Sequence, residues 1–273
     1  MHNFLSCFKV VHFLWFLYSP RLEKKTSTKW DFLDTEAINK LVEEGISMAV
    51  GCRIKMNFAR PNYKLIDAFR GIPVANIDDC MNRLASLQAG LLPMNSSPLL
   101  GTAFTVKCPA GDNLMFHKAL DLAKPGDVLV IAAGGSMSRA LCGEIMATYA
   151  RSRGIAGFII DGCVRDRDAL SQFTDFPIYA KGVTPNGPYK NGPGEINFPV
   201  SVGGQVIDPG DILIGDGDSV LVVKPEDAEE LAKAAAEVAK KESEQLFNIK
   251  SGVGFPRPFV DQVLAQIGVE YVD

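Results

Sequence analysis

The sequence predicts an α/β fold: a single compact domain with mixed sheet layers and a long C-terminal helix. Three observations predict it. Apolar strand-like runs alternate with helix-like segments from residue 56 onward, a β-rich section with closely spaced glycine turns follows, and an alanine-rich charged segment comes after it. Such alternation is typical of α/β sheets, and continuous apolar runs indicate strands that are buried on both faces.

The predicted elements between residues 56 and 181 follow one another with short connections. Asn76 is the predicted N-cap of the second helix, and Gly154 is predicted to end the fourth. A Pro-Gly turn in KPGDVLVIAA introduces the second strand. The predicted helices cover 63–70, 76–87, 112–123, 137–153 and 165–171, and the predicted strands cover 99–107, 124–133, 157–162 and 177–181.

The pattern changes at residue 182, where a long loop rich in glycine and proline begins. The segment VSVGGQVIDPGDILIGDGDSVLVV then predicts three short strands, and its Asp-Gly-Asp at 216–218 predicts a hairpin turn and not a calcium loop. Residues 225–248 predict a long helix, because they are rich in alanine and in opposite charges four residues apart. The similar strings KPGDVLVI and DPGDILIG predict equivalent corners of one mixed sheet or barrel.

Three regions are predicted along the chain: an N-terminal extension over 1–55, a main domain over 56–248 and a tail over 249–273. Residues 4–18 are strongly apolar but shorter than the roughly 20 residues that span a membrane. They are interpreted as an appended segment or a weak targeting signal, because the features of a signal peptide are missing. Residues 35–50 predict a helix.

Composition excludes several functional classes. The net charge is −4 and the basic residues form no stripe, so neither a nucleic acid nor a membrane is an expected partner. Two of the three histidines lie in the N-terminal stretch, which argues against a multi-histidine zinc site. The six cysteines show neither a C-x-x-C pair nor a disulfide framework, so we expect reduced thiols and a cytoplasmic protein.

Three clusters could carry chemistry, each at or near a predicted strand end. DGCVRDRD (161–168) places Arg165 and Asp166 after a buried strand, where ligands bind in α/β sheets. GGSMSRALCGE (134–144) predicts a sharp turn and a helix beginning near Met137, an arrangement suited to an anion. GDNLMFHKAL (111–120) contains His117. Each also has a plain structural interpretation: a helix start paired with arginine, an ordinary Gly-Gly turn, and a lone structural histidine.

The spacing of these clusters resembles a known family. Twenty residues separate Glu144 from Arg165, and Asp166 follows at once. With GIPVANIDDC, GTAFTVKCPAGDNLMFHKAL, GDVLVIAAGGSMSRALCGE, GIAGFIIDGCVRD and VGGQVIDPGDILIGD, this arrangement resembles the RraA-like family over residues 56 to about 248. That family includes class II pyruvate aldolases acting on 4-hydroxy-4-methyl-2-oxoglutarate and 4-carboxy-4-hydroxy-2-oxoadipate. The resemblance implies a swivelling β/β/α-type domain.

The resemblance also implies roles for individual residues. Asp166 would bind Mg²⁺ or Mn²⁺ directly, and Glu144 would hold metal-bound water. Arg165 would face the pyruvate moiety of a 2-oxo acid substrate, and His117 falls on an active-site position. A homotrimer or dimer of trimers is implied, with Glu242 of a neighbouring subunit contacting the metal through water. Backbone N–H groups of the loop 134–138 would bind the substrate carboxylate, which makes its five residues candidate substrate-binding residues: Gly134, Gly135, Ser136, Met137 and Ser138.

The chemistry implied is cleavage of a 2-oxo-4-hydroxy acid to pyruvate through a metal-stabilised enolate, with oxaloacetate decarboxylation as a side activity. Glu144 and Arg165 would act as catalytic residues with His117. Two alternatives stay open: a non-catalytic regulator that binds a ribonuclease, and a metal-dependent lyase for an unrelated oxo acid. A Schiff base on Lys107 or Lys118 is not needed by this chemistry.

Overall fold

The computed structural model describes residues 50–272 of the chain. The predicted helix over 35–50, apart from its last residue, and the apolar stretch over 4–18 lie outside the described residues. The strands are β1 (Cys52–Ile54), β2 (Leu92–Pro93), β3 (Leu99–Lys107), β4 (Asp127–Cys142), β5 (Gly157–Val164), β6 (Ile178–Val183), β7 (Gly194–Ile196), β8 (Val200–Val202), β9 (Gln205–Ile207), β10 (Ile212–Gly215) and β11 (Val220–Val223). The helices are α1 (Tyr63–Asp67), α2 (Val74–Cys80), α3 (Leu114–Leu122), α4 (Glu144–Ser152), α5 (Arg167–Ser171), α6 (Ala228–Lys250) and α7 (Pro258–Ile267).

Four parallel strands form the centre of the main sheet. β3, β4, β5 and β6 lie side by side in that order and run in the same direction. β7 and β1 extend the sheet on the β3 side, and β2 pairs with β6 on the other. Parallel strands bring their carboxyl ends to one edge of a sheet, so the polar clusters that follow β4 and β5 meet at the same edge.

The central strands are buried on both faces, as their apolar runs predict. Val128 and Val130 of β4 pack in one hydrophobic cluster with the β8–β9 hairpin, whereas Leu129 and Ile131 pack in another with helices α3, α4 and α5. The main sheet therefore lies between a small hairpin layer and a helical layer. This arrangement and the long helix α6 confirm the predicted mixed α/β fold.

β3 has two different antiparallel neighbours along one edge. β10 pairs with residues Leu99–Thr102, and β7 pairs with Val106 and Lys107. Since β4 pairs with the opposite edge, β4 and β10 flank β3 in one sheet. The two similar Pro-Gly-Asp corners that precede β4 and β10 thus lie in the same mixed sheet, as predicted.

A third hydrophobic cluster joins the first helices to the last part of the domain. Ile66 of α1 and Val74 of α2 pack with Leu221 of β11 and with the first turns of α6, where Leu231 and Ala235 are buried. The rest of α6 leaves this cluster: residues 240–250 are all exposed, and α7 has no buried residue.

One predicted helix boundary was wrong at a position that bears on function. The helix predicted over 137–153 begins only at Glu144, because β4 continues to Cys142. Ala140 and Cys142 pair with Cys163 and Val164 of β5, so this segment gains its backbone hydrogen bonds in the sheet. Gly134 and Gly135 do allow a sharp bend, but the bend lies inside a strand and not at a helix N-terminus.

Smaller differences concern the ends of elements. The second predicted helix ends at Cys80, not 87, and its N-cap is Pro73, so Asn76 lies within α2. Four short strands, β8 to β11, replace the three predicted, with the 216–218 turn between the last two as expected. β1 lies before the predicted domain boundary at residue 56 and pairs with β7, so it contributes to the sheet. Within residues 50–272, no helix is long and apolar enough to cross a membrane.

The first residue of β4 carries a buried ion pair that should be important for stability. The Asp127 carboxylate is fully buried and accepts hydrogen bonds from Arg60 Nε at 2.8 Å and Arg60 Nη2 at 2.7 Å. Arg60→Met leaves that carboxylate without its cation, so we expect the unfolding free energy to fall by about 3 kcal/mol in urea denaturation. The control is Arg83→Met, which breaks an exposed pair with Asp79 and should leave the midpoint nearly unchanged. Equal midpoints for the two variants would contradict this role of Arg60.

Candidate functional site

The residues after β5 form the centre of the candidate site. Asp166 lies in the left-handed region, with φ 58° and ψ 39°, and directly precedes helix α5. Its Oδ2 accepts a hydrogen bond from the backbone N–H of Glu144 at 3.0 Å. Arg165 Nε lies 3.7 Å from the same oxygen. The end of β5 is therefore tied to the first turn of α4 through one carboxylate.

Gly143 makes this contact possible. A Cβ atom at position 143 would collide with Asp166 Oδ2 and would lie 2.9 Å from Arg165 Cγ. The absent side chain lets the Arg165–Asp166 backbone approach the start of α4. Arg165 and Asp166 still keep 45% and 42% of their side chains exposed, so both remain open to a ligand.

Glu144 is the first residue of α4, not a residue two turns into a helix as predicted. Its side chain is exposed and its backbone N–H is the group that Asp166 binds. An acidic residue in a first helical turn also interacts favourably with the helix dipole. The structure thus brings three predicted site residues together: Arg165, Asp166 and Glu144.

The predicted substrate loop, 134–138, is an irregular part of β4. The pairing of β4 with β5 shifts between Ala132 and Ser136 and again between Ser136 and Ala140. Gly134 and Gly135 have φ values of 67° and 68°, in the region that favours glycine. The prediction that these residues open a helix was wrong, so the N–H groups of a helix start are not the donors here.

Side-chain contacts fix the outer part of this loop. Ser136 Oγ and Ser138 Oγ lie 3.0 Å apart, and Asn186 donates its side-chain amide to the Ser138 carbonyl at 3.2 Å. Met137 is 52% exposed, and its Sδ lies 3.6 Å from Cys163 Sγ. Burial raises the pKa of the Cys163 thiol, so this cysteine is a poor nucleophile.

His117 lies apart from this cluster. It is on α3 and faces a groove of about 430 Å³ between α3 and α4. Among the described residues, no side-chain hydrogen bond joins His117 to Arg165, Asp166 or Glu144. Burial lowers the pKa of His117, and the nearby Lys190 lowers it further. The other residues that line the groove are Leu114, Lys118, Leu120, Asp121, Ile145, Met146 and Tyr149.

Glu242 also lies apart from the cluster within a single chain. It is on the exposed second half of α6, beyond the last buried residue of that helix, Ala235. The described chain by itself therefore does not bring Glu242 to Asp166.

Sequence reasoning missed two further features of this edge. Lys181 of β6 lies with its Nζ 2.8 Å from Oδ1 of the buried Asp161 on β5. The buried Asp112 accepts hydrogen bonds from Leu114 N, Asn191 N and Gly192 N, so it ties the loop before β7 to the start of α3. No sequence signal identifies the Asp161–Lys181 pair, because the two residues meet only when β5 and β6 pair.

The donor set suits a metal that keeps much of its water. Within residues 50–272, no three His, Cys, Asp or Glu side chains converge as a metal cage. Asp166 offers one exposed carboxylate, and the exposed Glu144 begins the adjacent helix. Mg²⁺ commonly binds through one or two carboxylates and several waters, so these residues fit such an ion but not a site made of protein ligands alone.

The fold and this edge define an α/β protein with a polar site beyond the carboxyl ends of parallel strands. The chain belongs to the RraA-like family: the family model described as Aldolase/RraA matches residues 74–222. A protein of Halalkalibacterium halodurans named "Putative 4-hydroxy-4-methyl-2-oxoglutarate aldolase" is 41% identical over 182 residues, covering 66% of this chain and 86% of the relative. An Ectopseudomonas mendocina protein of the same name is 38% identical over 122 residues, covering 45% of this chain and 74% of the relative.

Solved structures share the fold. A Pseudomonas syringae protein of uncharacterised function aligns with a TM-score of 0.62 at 24% identity, covering 71% of this chain and 96% of that one. The structure of the RNA-processing inhibitor RraA from Thermus thermophilus aligns with a TM-score of 0.51 at 28% identity, covering 55% of this chain and 92% of that one. The family therefore includes proteins named as aldolases and proteins named as regulators.

The lowered pKa of His117 predicts a pH-dependent contribution to stability. A histidine that is harder to protonate when folded contributes stability above its ordinary pKa of 6.5, and this contribution is lost as pH falls below that value. Wild-type protein should therefore lose more unfolding free energy between pH 7.5 and pH 5.5 than the His117→Gln variant. Urea denaturation at both pH values measures the difference. The same loss in both proteins would show that the environment of His117 does not disfavour the charged form.

Proposed function

We propose that the protein is a divalent-metal-dependent aldolase that cleaves a 2-oxo-4-hydroxy acid to pyruvate and a second oxo acid. The observation that carries the proposal is the convergence of Arg165, Asp166 and Glu144 at the carboxyl edge of the sheet. It combines a guanidinium with two carboxylates in one exposed place, which is what an anionic substrate and a cation need. The names of the relatives in Halalkalibacterium and Ectopseudomonas support the same reaction class.

In this proposal Asp166 would hold Mg²⁺ or Mn²⁺ directly, and Glu144 would hold it through water. When bound, the ion would supply a Lewis acid to the substrate. The backbone contact between Asp166 Oδ2 and Glu144 N fixes the two acidic residues relative to each other. Oδ1 of Asp166 is not used in that contact, so it is available as a ligand.

Arg165 binds the pyruvate moiety and stabilises the negative charge that develops on the 2-oxo oxygen. Its guanidinium is a fixed cation with a planar set of donors that matches a carboxylate or an enolate. The irregular segment 134–138 forms the adjacent wall of the substrate site. Decarboxylation of oxaloacetate develops charge on the same atoms, so we propose it as a second activity of the same residues.

His117 is the proposed proton-transfer residue. Its lowered pKa keeps the imidazole neutral at pH 7, so that it can accept a proton. The groove that it faces is lined by Ile145 and Met146, which follow Glu144 in the first turn of α4. The groove that His117 faces therefore borders the helix turn that begins with Glu144.

The second half of α6 and the whole of α7 support a proposed homotrimer or dimer of trimers. These helices leave large apolar side chains exposed, among them Phe247 at 70%, Phe259 at 60% and Ile267 at 71%. Large apolar side chains that stay exposed in such number are typical of a protein interface. In the assembly, Glu242 of one chain contributes to the metal site of a neighbour, which completes a donor set that is small within one chain.

A regulator of ribonuclease activity is the second candidate, favoured by the fold shared with the Thermus thermophilus inhibitor RraA. The two candidates differ in the use of Asp166. An aldolase needs its carboxylate for catalysis, whereas a binding surface for another protein does not require a metal ligand at that position. Activity therefore separates them.

Pyruvate release is expected from a panel of 2-oxo-4-hydroxy acids and from oxaloacetate. EDTA should abolish it, and Mg²⁺ or Mn²⁺ should restore it. Asp166→Asn should lower kcat about a hundredfold or more, because it removes the proposed ligand while the amide oxygen can still accept the Glu144 N–H and asparagine tolerates the left-handed region. A coupled lactate dehydrogenase assay measures these rates.

The matched control for that prediction is Asp168→Asn, which neutralises an exposed carboxylate two residues away. It should retain wild-type turnover, and circular dichroism verifies that both variants are folded. Full activity in EDTA would eliminate the metal mechanism and favour a lysine Schiff base. A wild-type protein that is inactive on the whole panel but binds a ribonuclease would establish the regulator instead.

Light scattering should give three or six times the mass of one chain. Phe247→Glu should shift the distribution toward smaller species, because it places a charge in the exposed apolar surface of α6. Lys64→Glu, which changes the charge of an exposed residue of α1 outside these two helices, is the control and should leave the mass unchanged. An active monomer would contradict both the assembly and the role of Glu242.

A further inference from the structure

Two residues of the neighbouring strands, which the proposed mechanism does not use, lie close to the irregular part of β4. Asp161 of β5 is buried, with 8% of its side chain exposed, and Lys181 of β6 is 35% exposed. Lys181 Nζ lies 2.8 Å from Asp161 Oδ1, and the contact is an ion pair without the alignment of a good hydrogen bond. A buried carboxylate with one cationic neighbour holds that cation in place, since separating them would leave an uncompensated charge.

The ammonium group of Lys181 lies against the Gly134–Gly135 bend. A Cβ at Gly135 would be 2.7 Å from Lys181 Nζ and 3.7 Å from Asp161 Oδ1. The φ value of 68° at Gly135 makes any other residue unfavourable, and the lysine occupies the space that a side chain would need. Glycine at 135 therefore brings the ammonium group to the backbone of the proposed substrate loop.

Lys181 has hydrogen-bonding capacity left for a ligand. An ammonium group has three donors, and among the described residues the carboxylate of Asp161 is its one ion-pair partner. The lysine side chain is also partly exposed, so solvent reaches it. Because Asp161 already restricts the lysine side chain, little conformational freedom is lost when an anion binds.

We propose that Lys181 is a substrate-binding residue whose ammonium group binds a carboxylate of the 2-oxo acid at the Gly134–Gly135 bend, with Asp161 as its positioning residue. This inference rests on the proposed function and names the group that supplies the positive charge at the bend. The resemblance implied that backbone N–H groups of the loop 134–138 bind that carboxylate. Lys181 would add a fixed positive charge at the same loop.

Steady-state kinetics of Lys181→Met tests the inference. The KM for oxaloacetate should rise about tenfold or more while kcat changes less than about threefold, because a charged hydrogen bond that is equal in ground and transition states affects KM. Lys181→Arg should recover part of the affinity. Lys233→Met removes an exposed lysine that pairs with Glu229 on α6, and it should leave KM unchanged.

A second variant separates a loss of substrate affinity from a loss of stability. Lys181→Met leaves the Asp161 charge buried and unpaired, whereas Asp161→Asn/Lys181→Met removes both charges and should fold more stably. The double variant should show the same rise in KM. If Lys181 served only to balance the charge of Asp161, the double variant would regain the wild-type KM. That result would overturn the inference.

Direct binding separates the inference from the proposed reaction. Ligand-observed NMR titration with pyruvate and Mg²⁺ should show about tenfold weaker binding to Lys181→Met than to the wild type. Unchanged KM and unchanged pyruvate binding in the folded variant would overturn the inference while the aldolase stands. Lys181-dependent pyruvate binding by a wild-type protein that releases no pyruvate would refute the reaction and keep the anion site.

Discussion

The parallel pairing of β4 with β5 is the contact on which the rest of this structure depends. Its first half, from Val128 to Ala132, is regular, and its side chains are buried alternately toward the hairpin layer and the helical layer. This half holds the three layers together through apolar burial, which is the dominant favourable contribution to folding. Its second half, from Ser136 to Cys142, pairs irregularly and contributes the backbone that borders the site. One strand pair thus divides into a part that stabilises the domain and a part that presents polar groups.

The irregular half tolerates its geometry because of particular residues. Gly134 and Gly135 adopt positive φ values without the steric cost that another residue would have. Asp166 adopts a left-handed conformation that costs about 1 kcal/mol for most residues and less for aspartate. The hydrogen bond from Glu144 N to its carboxylate offsets that cost. The glycine bend and the left-handed aspartate therefore both lie at the edge of the sheet where ligands are expected.

The sequence was sufficient for the parts of the fold that depend on local pattern. The apolar runs of β3, β4 and β5 and the alanine-rich helix α6 were identified because periodicity and composition report burial and helix propensity. The start of α4 could not be predicted, since the group that caps Glu144 N is Asp166, 22 residues away in the chain. The Asp161–Lys181 pair was missed for the same reason, because β5 and β6 bring it together only in the folded sheet. In contrast, Glu144, Arg165 and Asp166 were grouped correctly from the sequence. Their spacing resembles that of a known family, and this resemblance indicated that they belong to one site.

The divided edge of β3 constrains the order in which this chain can fold. Half of that edge pairs with β7 and the other half with β10, and both partners lie far later in the sequence. A nascent chain in which β3, β4 and β5 have just been synthesised therefore contains an apolar strand, β3, with one edge that has no partner yet. Such edges pair readily with other chains, and contacts between distant segments form slowly. Synthesis through residue 215 is required before the strand is covered on both sides, so the interval between translation of β3 and of β10 is when the nascent chain is most vulnerable to aggregation.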